Sequence, residues 1–172
     1  MQTREPASAI GRNGFTGSVA SVNVSHGGVP KRPIPGGWVD RLGLEADAHA
    51  EPEPSHGGIN QAISIYGVES IARVVADGHR AFPGVFGENL TLAGIELDEM
   101  RAGDRLAIGG SGLVLELTER AEPCQTIAHW FTGRRIARIG SKQNPRDARW
   151  YARVVNEGPM SPGDAVEVSR PG

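Results

Sequence analysis

The sequence predicts a mainly β, barrel-like domain with a few short helices. Glycine and proline number 24 and 12 in the 172 residues, a density that favours many tight turns over a helical bundle. The apolar residues fall into about seven or eight short runs of strand character, without the regular alternation of strands and helices that indicates a doubly wound parallel sheet. We therefore expect a mainly antiparallel barrel, or a strongly curved sheet, with helices packed on its outside.

The N-terminal half contains the first predicted strands and the clearest helix. Strands are predicted over residues 15–24, 61–66 and 89–92, a short element over 42–49, and a Gly- and Pro-rich loop over 26–37. In residues 68–77 the period changes, because apolar side chains recur at helical spacing and Gly78 follows where a helix C-terminal glycine belongs. This segment therefore predicts a helix.

The C-terminal half is predicted to contain a hairpin, a short helix and two closing strands. The predicted elements are strands at 104–108 and 113–118, a short helix at 125–132, and strands at 150–155 and 165–168. The intervening Gly109–Gly112 is a strong hairpin signal. No repeat or composition break divides the chain, so we expect a flexible N-terminus over residues 1–13 and a single domain over residues 14–172.

The composition is that of an ordinary globular protein. The formal net charge is −2, hydrophobic residues make up 38% and charged residues 22%. No apolar stretch approaches the roughly 20 residues that cross a bilayer, and the first residues lack the apolar core of a secretory signal. With a lone cysteine and no export signal, we expect the protein in the reducing cytoplasm, without a membrane partner.

The net charge conceals a strongly basic segment. Residues 134–153 hold seven basic residues and one acidic residue, a net charge of +6. So many cations repel one another unless they are solvated or gathered around an anion. The segment is therefore either a solvated basic face or the binding site of an anion, which is a phosphorylated small molecule or nucleic acid. Nucleic acid is the weaker alternative, because the nearby aromatics Trp150 and Tyr151 fall in a predicted strand.

Cys124 is the only cysteine in the chain and follows a strand-like run in the sequence Glu122-Pro123-Cys124. One thiol cannot form an internal disulfide or supply a four-cysteine metal site. It can act as a nucleophile, give one thiolate to a metal, or pack as a small buried hydrophobe, which is a common environment for free cysteine. From the residue alone these alternatives remain open.

Three polar loops lie at the ends of predicted strands and can surround a ligand. They are His56–Gly58, Phe86–Leu90 and Glu122–Cys124. Glycine lets a backbone approach a ligand closely, and Asn and Glu supply orienting hydrogen bonds, although plain turn formation explains any one loop. The chain has no phosphate-binding glycine loop, no G-x-S-x-G nucleophile motif and no histidine pair at metal-ligand spacing. Together with the basic segment, the loops predict the rim of a barrel mouth.

Six sequence blocks occur in a specific order. They are LGLEADAHA, HGG followed by QAISIY, PGVFGENLTLAGIEL, GDRLAIG, LELTERAEPCQTI, and YARVV followed by SPGDAVEV, and they run from about Val39 to Val168. This series resembles the MOSC domain, the C-terminal domain family of molybdenum cofactor sulfurases, and in particular its stand-alone bacterial members. The resemblance implies a mostly β, pyruvate-kinase-barrel-like domain. Asp47 and His49 match the first block as well, whereas Ala46 stands where the family has glycine.

The resemblance implies a binding site for the molybdenum cofactor, a pterin dithiolene that bears a phosphate. Cys124 matches the family cysteine, which implies a catalytic residue that ligates molybdenum or carries transferable sulfur, and a thiolate is a soft ligand suited to either role. Phe86–Leu90 matches the block FGENL and makes Asn89 and Glu88 candidates for contacts with the cofactor. Further cofactor-binding candidates, chosen by charge and position or by a matching block, are Arg149, Arg153, Lys31, Arg32 and His56.

Two functions follow from the resemblance. The first is a small molybdoenzyme, an oxidoreductase that reduces N-hydroxylated compounds with electrons from a separate partner, because the chain lacks a ferredoxin-like cysteine set and a flavin fingerprint. The second is a cofactor or sulfur carrier, in which Cys124 holds the cofactor or a persulfide for an acceptor protein. A binding module without turnover is a third alternative. Pyridoxal phosphate is not expected, since the only lysines, Lys31 and Lys142, lack an aminotransferase-like context.

Overall fold

The computed structural model describes residues 14–47 and 58–172. Its strands are β1 (Phe15–Val24), β2 (Arg32–Ile34), β3 (Gly37–Asp40), β4 (Gly43–Leu44), β5 (Ile63–Gly67), β6 (Leu90–Ala93), β7 (Arg105–Ile108), β8 (Leu113–Ala121), β9 (Arg149–Asn156), β10 (Gly158–Met160) and β11 (Ala165–Ser169). Its helices are the α-helix α1 (Val68–Ala76) and short 3-10 segments at Ile59–Gln61, Leu97–Glu99, Gln125–Trp130, Thr132–Arg134, Ile136–Ile139 and Pro145–Asp147. None of the helices in these two ranges is long and apolar enough to cross a membrane.

Within the described residues, seven strands form a closed barrel, which confirms the predicted fold class. The strand order is β11-β7-β8-β9-β5-β6-β1, and β1 pairs back onto β11 with Phe15 opposite Val168. β2 extends the second half of β1, while β10, β3 and β4 form a small separate sheet. Closure leaves the seven barrel strands without a free sheet edge.

The barrel interior is filled by alternate side chains of the strands. On β8, Leu113, Leu115 and Leu117 are buried, whereas Val114, Glu116 and Thr118 are partly exposed. This period of two is typical of a strand with one face in the core. Full burial of each such leucine contributes about 1.5–3 kcal/mol to the free energy of folding. The strands, rather than the short helices, therefore supply most of the core.

β5, α1 and β6 form a strand–helix–strand unit that the sequence pattern did not reveal. β5 and β6 pair in parallel, with Ile65 opposite Leu90, and α1 lies in the connection between them. Parallel neighbours need a crossover connection, because a tight hairpin reverses the chain direction. The sequence pattern did not indicate this single unit, because a long loop over residues 77–89 separates α1 from β6. The other barrel pairs are antiparallel, as predicted.

Several short elements differ from the sequence prediction. β2 lies inside the predicted loop 26–37, and β2 and β10 contain Pro33 and Pro159, which the sequence pattern treats as strand breakers. The element predicted over 42–49 is the two-residue strand β4, and its last two residues lie outside the described part of the chain. The predicted N-terminus, residues 1–13, lies outside it too.

Candidate functional site

Cys124 lies at the surface, in the turn that follows β8. Its thiol is exposed, and its sulfur lies 2.7 Å from Oγ1 of Thr126. The 3-10 segment Gln125–Trp130 begins at the next residue, and its buried Ile127 and Ala128 attach the turn to the core. The alternative of a small buried hydrophobe therefore does not fit this cysteine. A nucleophile or a metal ligand requires an accessible sulfur of this kind.

Arg149 joins the turn of Cys124 to the loop Gly84–Asn89. The residue opens β9, and its guanidinium donates through Nη1 to the carbonyl oxygen of Phe86 and through Nη2 to that of Glu122, the latter over 3.3 Å. Only 7% of Arg149 is exposed, and its buried Nε–H has no acceptor among the described residues. One buried cation thus spans two of the three loops that the sequence predicts at the rim.

Glu88 folds back into its own loop. Its carboxylate is fully buried and accepts hydrogen bonds from the backbone N–H groups of Gly84, over 2.6 Å, and of Phe86, over 3.2 Å. Burial raises the pKa of Glu88 to about 7, while the backbone donors and the nearby charge of Arg149 act in the opposite direction. The two carboxylate oxygens already have partners, so Glu88 shapes the loop from the inside.

Asn89 is saturated by protein partners. Its side-chain amide donates to Oδ2 of Asp47 over 2.7 Å and to the carbonyl oxygen of Asn23 over 3.3 Å. Its side-chain oxygen accepts from the backbone N–H of Ser64 over 3.2 Å, and the hydroxyl oxygen of Ser64 lies 3.2 Å from it. Asn89 therefore ties the start of β6 to the end of β1 and to β5. Its predicted contact with a cofactor would have to replace one of these bonds.

Lys31 forms a buried ion pair with Asp47. Nζ of Lys31 lies 2.6 Å from Oδ2 of Asp47, and the two side chains are only 8% and 6% exposed. Asp47 also accepts a hydrogen bond from the backbone N–H of Ser25 over 2.9 Å. A buried ion pair is maintained only when its remaining hydrogen-bonding capacity is met, and Asn89 and Ser25 meet it here. The charge of Lys31 is thus already neutralised inside the protein.

Gly84 brings the Lys31 segment against the loop Gly84–Asn89. Its carbonyl oxygen accepts from the backbone N–H of Lys31 over 2.8 Å. Gly84 has a φ of +88°, in the left-handed region, and a Cβ at this position would overlap the carbonyl oxygen of Lys31. Only glycine allows this backbone approach.

The other predicted binding residues do not join this cluster. Arg32 is exposed on β2. Arg153 binds Oε1 of Glu116 over 2.7 Å and is four residues beyond Arg149 on β9, which corresponds to about 13 Å along a strand. His56 lies outside the described residues. Arg153 is therefore separated from Arg149 and has its charge paired, and the cofactor-binding roles of Arg153, Arg32 and His56 stay predictions.

The basic segment is partly structural and partly exposed. Arg138 binds Asp77 and Asp147, each over 2.8 Å, and Arg146 lies 3.4 Å from Glu96. The backbone N–H of the neighbouring Ser141 donates to the Glu122 carboxylate, which brings the segment against the turn of Cys124. The exposed cations of residues 134–148 are Arg134, Arg135, Lys142 and Arg146, and of these Arg146 has the carboxylate of Glu96 beside it.

Sequence reasoning missed two buried polar residues that support the loop Gly84–Asn89. Asn23 is fully buried and donates to the carbonyl oxygen of Glu88 over 3.2 Å and to Oγ1 of Thr91 over 3.1 Å. The hydroxyl of Ser64 donates to the carbonyl oxygen of Gly87 over 3.0 Å. Each stands between two apolar residues of a strand, where a polar side chain ordinarily faces solvent. Nothing in the local pattern therefore marked them as internal.

The comparisons with known proteins agree with this fold. The family model for the MOSC domain matches residues 52–167. The uncharacterized protein YflK of Bacillus subtilis (strain 168) is 27% identical over 149 residues, which cover 82% of this chain and 62% of YflK. The chain thus spans about three fifths of the length of that relative.

Two solved structures share the architecture. The YUAD protein from Bacillus subtilis has a TM-score of 0.77 at 16% identity, over 92% of this chain and 98% of that one. YiiM from Geobacillus stearothermophilus has a TM-score of 0.68 at 22% identity, over 90% of this chain and 75% of that one. These likenesses show the fold, and the family match covers more than half of the chain. The chain belongs to the MOSC domain family, a family of molybdenum-cofactor-related proteins.

Proposed function

We propose that this protein binds the molybdenum cofactor through Cys124 and reduces N-hydroxylated compounds. The observation that carries the proposal is the exposed thiol of Cys124 in a turn held by Arg149, whose buried Nε–H has no acceptor in the described part of the chain. A soft sulfur donor and an unused cationic donor thus belong to the same corner of the barrel, within the residues that match the family.

The donor set fits a metal that arrives with its own chelator. No group of three His, Cys, Asp or Glu side chains close enough to hold a metal ion occurs within residues 14–47 and 58–172. The described residues therefore surround Cys124 with no three-residue metal cage, and we propose that further ligands come from the bound group. A pterin dithiolene supplies two sulfur ligands of its own, and a thiolate is the matching soft ligand from the protein.

Different residues of this chain would have different roles in binding the cofactor. Cys124 would hold the metal, and the exposed cations Arg134, Arg135 and Lys142 would attract the phosphate. Glu88, Asn89 and Lys31 would support the loop Gly84–Asn89 from behind, because their polar atoms already have protein partners.

The bound group would supply a two-electron reduction. The substrate takes up two electrons and two protons, its N–O bond breaks, and water leaves. The electrons would come from a separate electron-transfer protein, because Cys124 is the only cysteine and no iron–sulfur ligand set exists in this chain. The proposal places the protein in the cytoplasm, where a lone thiol stays reduced.

A carrier role is the second candidate, and the exposure of Cys124 favours it. A thiol at the surface can reach a site on another protein, so Cys124 could hold a cofactor or a persulfide for an acceptor without turnover. Both roles use the sulfur of Cys124. The enzyme would release a reduced substrate, whereas the carrier would release the cofactor or the persulfide sulfur.

Molybdenum and pterin analysis of protein from a cofactor-competent host tests the proposal. We expect equimolar molybdenum in the wild type and in the control Arg105→Met, an exposed residue of β7, and about a tenfold loss or more in Cys124→Ser. Absence of molybdenum from all three proteins, or equal molybdenum in all three, would contradict binding through Cys124.

Reduction of an N-hydroxylated purine by the loaded protein with a chemical reductant supports the enzyme. Transfer of the cofactor to an apo acceptor without such reduction supports the carrier.

A further inference from the structure

We infer that Arg149 is a positioning residue, which fixes the turn of Cys124 against the loop Gly84–Asn89. The inference deepens the proposed function and rests on it for the role of Cys124. It assigns to Arg149 the orientation of the thiol through the backbone of Glu122, in place of the phosphate contact that charge alone suggests.

The guanidinium reaches both segments through main-chain atoms. Nη1 donates to the carbonyl oxygen of Phe86 and Nη2 to the carbonyl oxygen of Glu122. Arginine is suited to this geometry, because its planar fork presents several donors in a fixed arrangement. The Glu122 carbonyl is two residues from Cys124, so a displacement of that carbonyl also displaces the sulfur. One side chain therefore sets the position of the thiol relative to the loop.

The barrel itself does not require the guanidinium. β8 and β9 pair through their backbones, with Ala121 opposite Arg149, and the pairing continues to Val114 and Asn156. This ladder remains when the side chain is replaced. A buried charge costs free energy that an apolar side chain of similar size would not cost. The presence of an arginine at a site that is 93% buried therefore indicates a task other than filling space.

The Arg149 guanidinium also influences the loop Gly84–Asn89 through the carboxylate of Glu88. Its charge favours the ionised form of Glu88, whose carboxylate holds the backbone N–H groups of Gly84 and Phe86. In addition, Nε–H is a buried donor without an acceptor in the described residues. Arg149 thus links the two segments and keeps one buried donor unused.

Hydrogen exchange of the cofactor-free chain tests the inference without any activity. We would compare Arg149→Met, which removes all donors, and Arg149→Lys, which keeps the charge but cannot reach two carbonyls, with the control Arg105→Met. In Arg149→Met, amides in residues 84–89 and 122–131 should exchange about tenfold faster, because two charge-assisted bonds that hold these segments are lost. Arg149→Lys should show a smaller increase in the same two segments. The barrel strands should be unchanged in every variant.

Three results would overturn the inference. They are unchanged exchange in both segments, an increase spread evenly over the barrel, and an increase in one segment only. For the molybdenum-loaded protein, we expect Arg149→Lys to retain the metal and to give several species in its electron paramagnetic resonance spectrum where the wild type gives one. An unchanged spectrum with less metal would instead assign Arg149 a direct contact with the cofactor. If the wild type carries no molybdenum, the proposed function fails, and the exchange experiment still decides the role of Arg149.

Discussion

The two sides of the candidate site differ in burial and in hydrogen bonding. The inner cluster, formed by Lys31, Asp47 and Asn89, is buried, and its charges and amide are matched by one another and by neighbouring backbone. The outer turn, Glu122–Cys124, is largely exposed and carries a thiol whose polar contact is Thr126. A saturated cluster has little left to offer a ligand, whereas the outer turn does. The inner cluster therefore supports the loop, whereas the outer turn has an accessible polar atom that a ligand can contact.

The strongest test of this comparison is Asp47→Ala. The substitution leaves the ammonium of Lys31 buried without its partner, so we expect the free energy of unfolding to fall by about 3–5 kcal/mol in urea denaturation. Arg153→Ala is the matched control, because its ion pair with Glu116 is half exposed and should contribute less than about 1 kcal/mol. Equal effects of the two variants would mean that the inner cluster is not a support.

The pH dependence of stability tests Glu88. Its folded-state pKa is about 7 and its unfolded value is 4.5, so the folded state binds the extra proton between these values and stability falls as pH rises through this window. The loss amounts to about 3 kcal/mol in total. Glu88→Gln cannot titrate, so its free energy of unfolding should lack this slope between pH 4.5 and 7. Parallel pH profiles for the two proteins would show that Glu88 is not the buried carboxyl described here.

Gly84→Ala tests the close backbone approach behind the loop. Gly103→Ala is the control, because Gly103 has a similar φ of +93° but open space around its Cβ position, whereas Gly84 has a φ of +88° and faces the Lys31 carbonyl. Both variants carry the cost of a left-handed alanine, about 1–2 kcal/mol. Gly84→Ala should lose about 1–3 kcal/mol more, owing to the overlap. Thermal unfolding of the two proteins measures the difference, and a difference of zero would contradict the contact.

Cys124→Ser should have the smallest effect on stability. The thiol is exposed, so we expect a change in the free energy of unfolding within about 0.5 kcal/mol. A small change in stability, together with the loss of molybdenum proposed above, would show that Cys124 contributes to metal binding and not to folding. A large loss of stability would instead make Cys124 a structural residue.

The regular parts of the fold follow from local pattern. β1 has the bounds that its β-branched run predicts, and the Gly109–Gly112 turn lies between β7 and β8 as expected. The parallel pairing of β5 with β6 could not be read from the sequence, because register across a crossover depends on packing between distant segments. The short strands β2 and β10 are likewise set by their neighbours rather than by their own proline-containing sequences.

The site was only partly accessible to sequence reasoning. Resemblance selected Cys124, Glu88 and Asn89, but no pattern showed that the first is exposed and the other two are buried. Charge selected Arg149 and Arg153 together, although they lie four residues apart on β9 and only Arg149 reaches the loop. Which of the two β9 arginines contacts the loop depends on the hydrogen-bond acceptors around it, and these are known only from the folded structure.

The pairing of β1 with β11 has a consequence for biogenesis. These are the first and last strands described, and the seam between them holds Phe15 against Val168. The barrel cannot close on the ribosome until β11 has emerged, so the wall stays open until then. The turn of Cys124 and the strand of Arg149 both precede β11, yet they belong to an unsealed sheet until that moment. A truncation that removes β11 should therefore yield a chain whose barrel never closes.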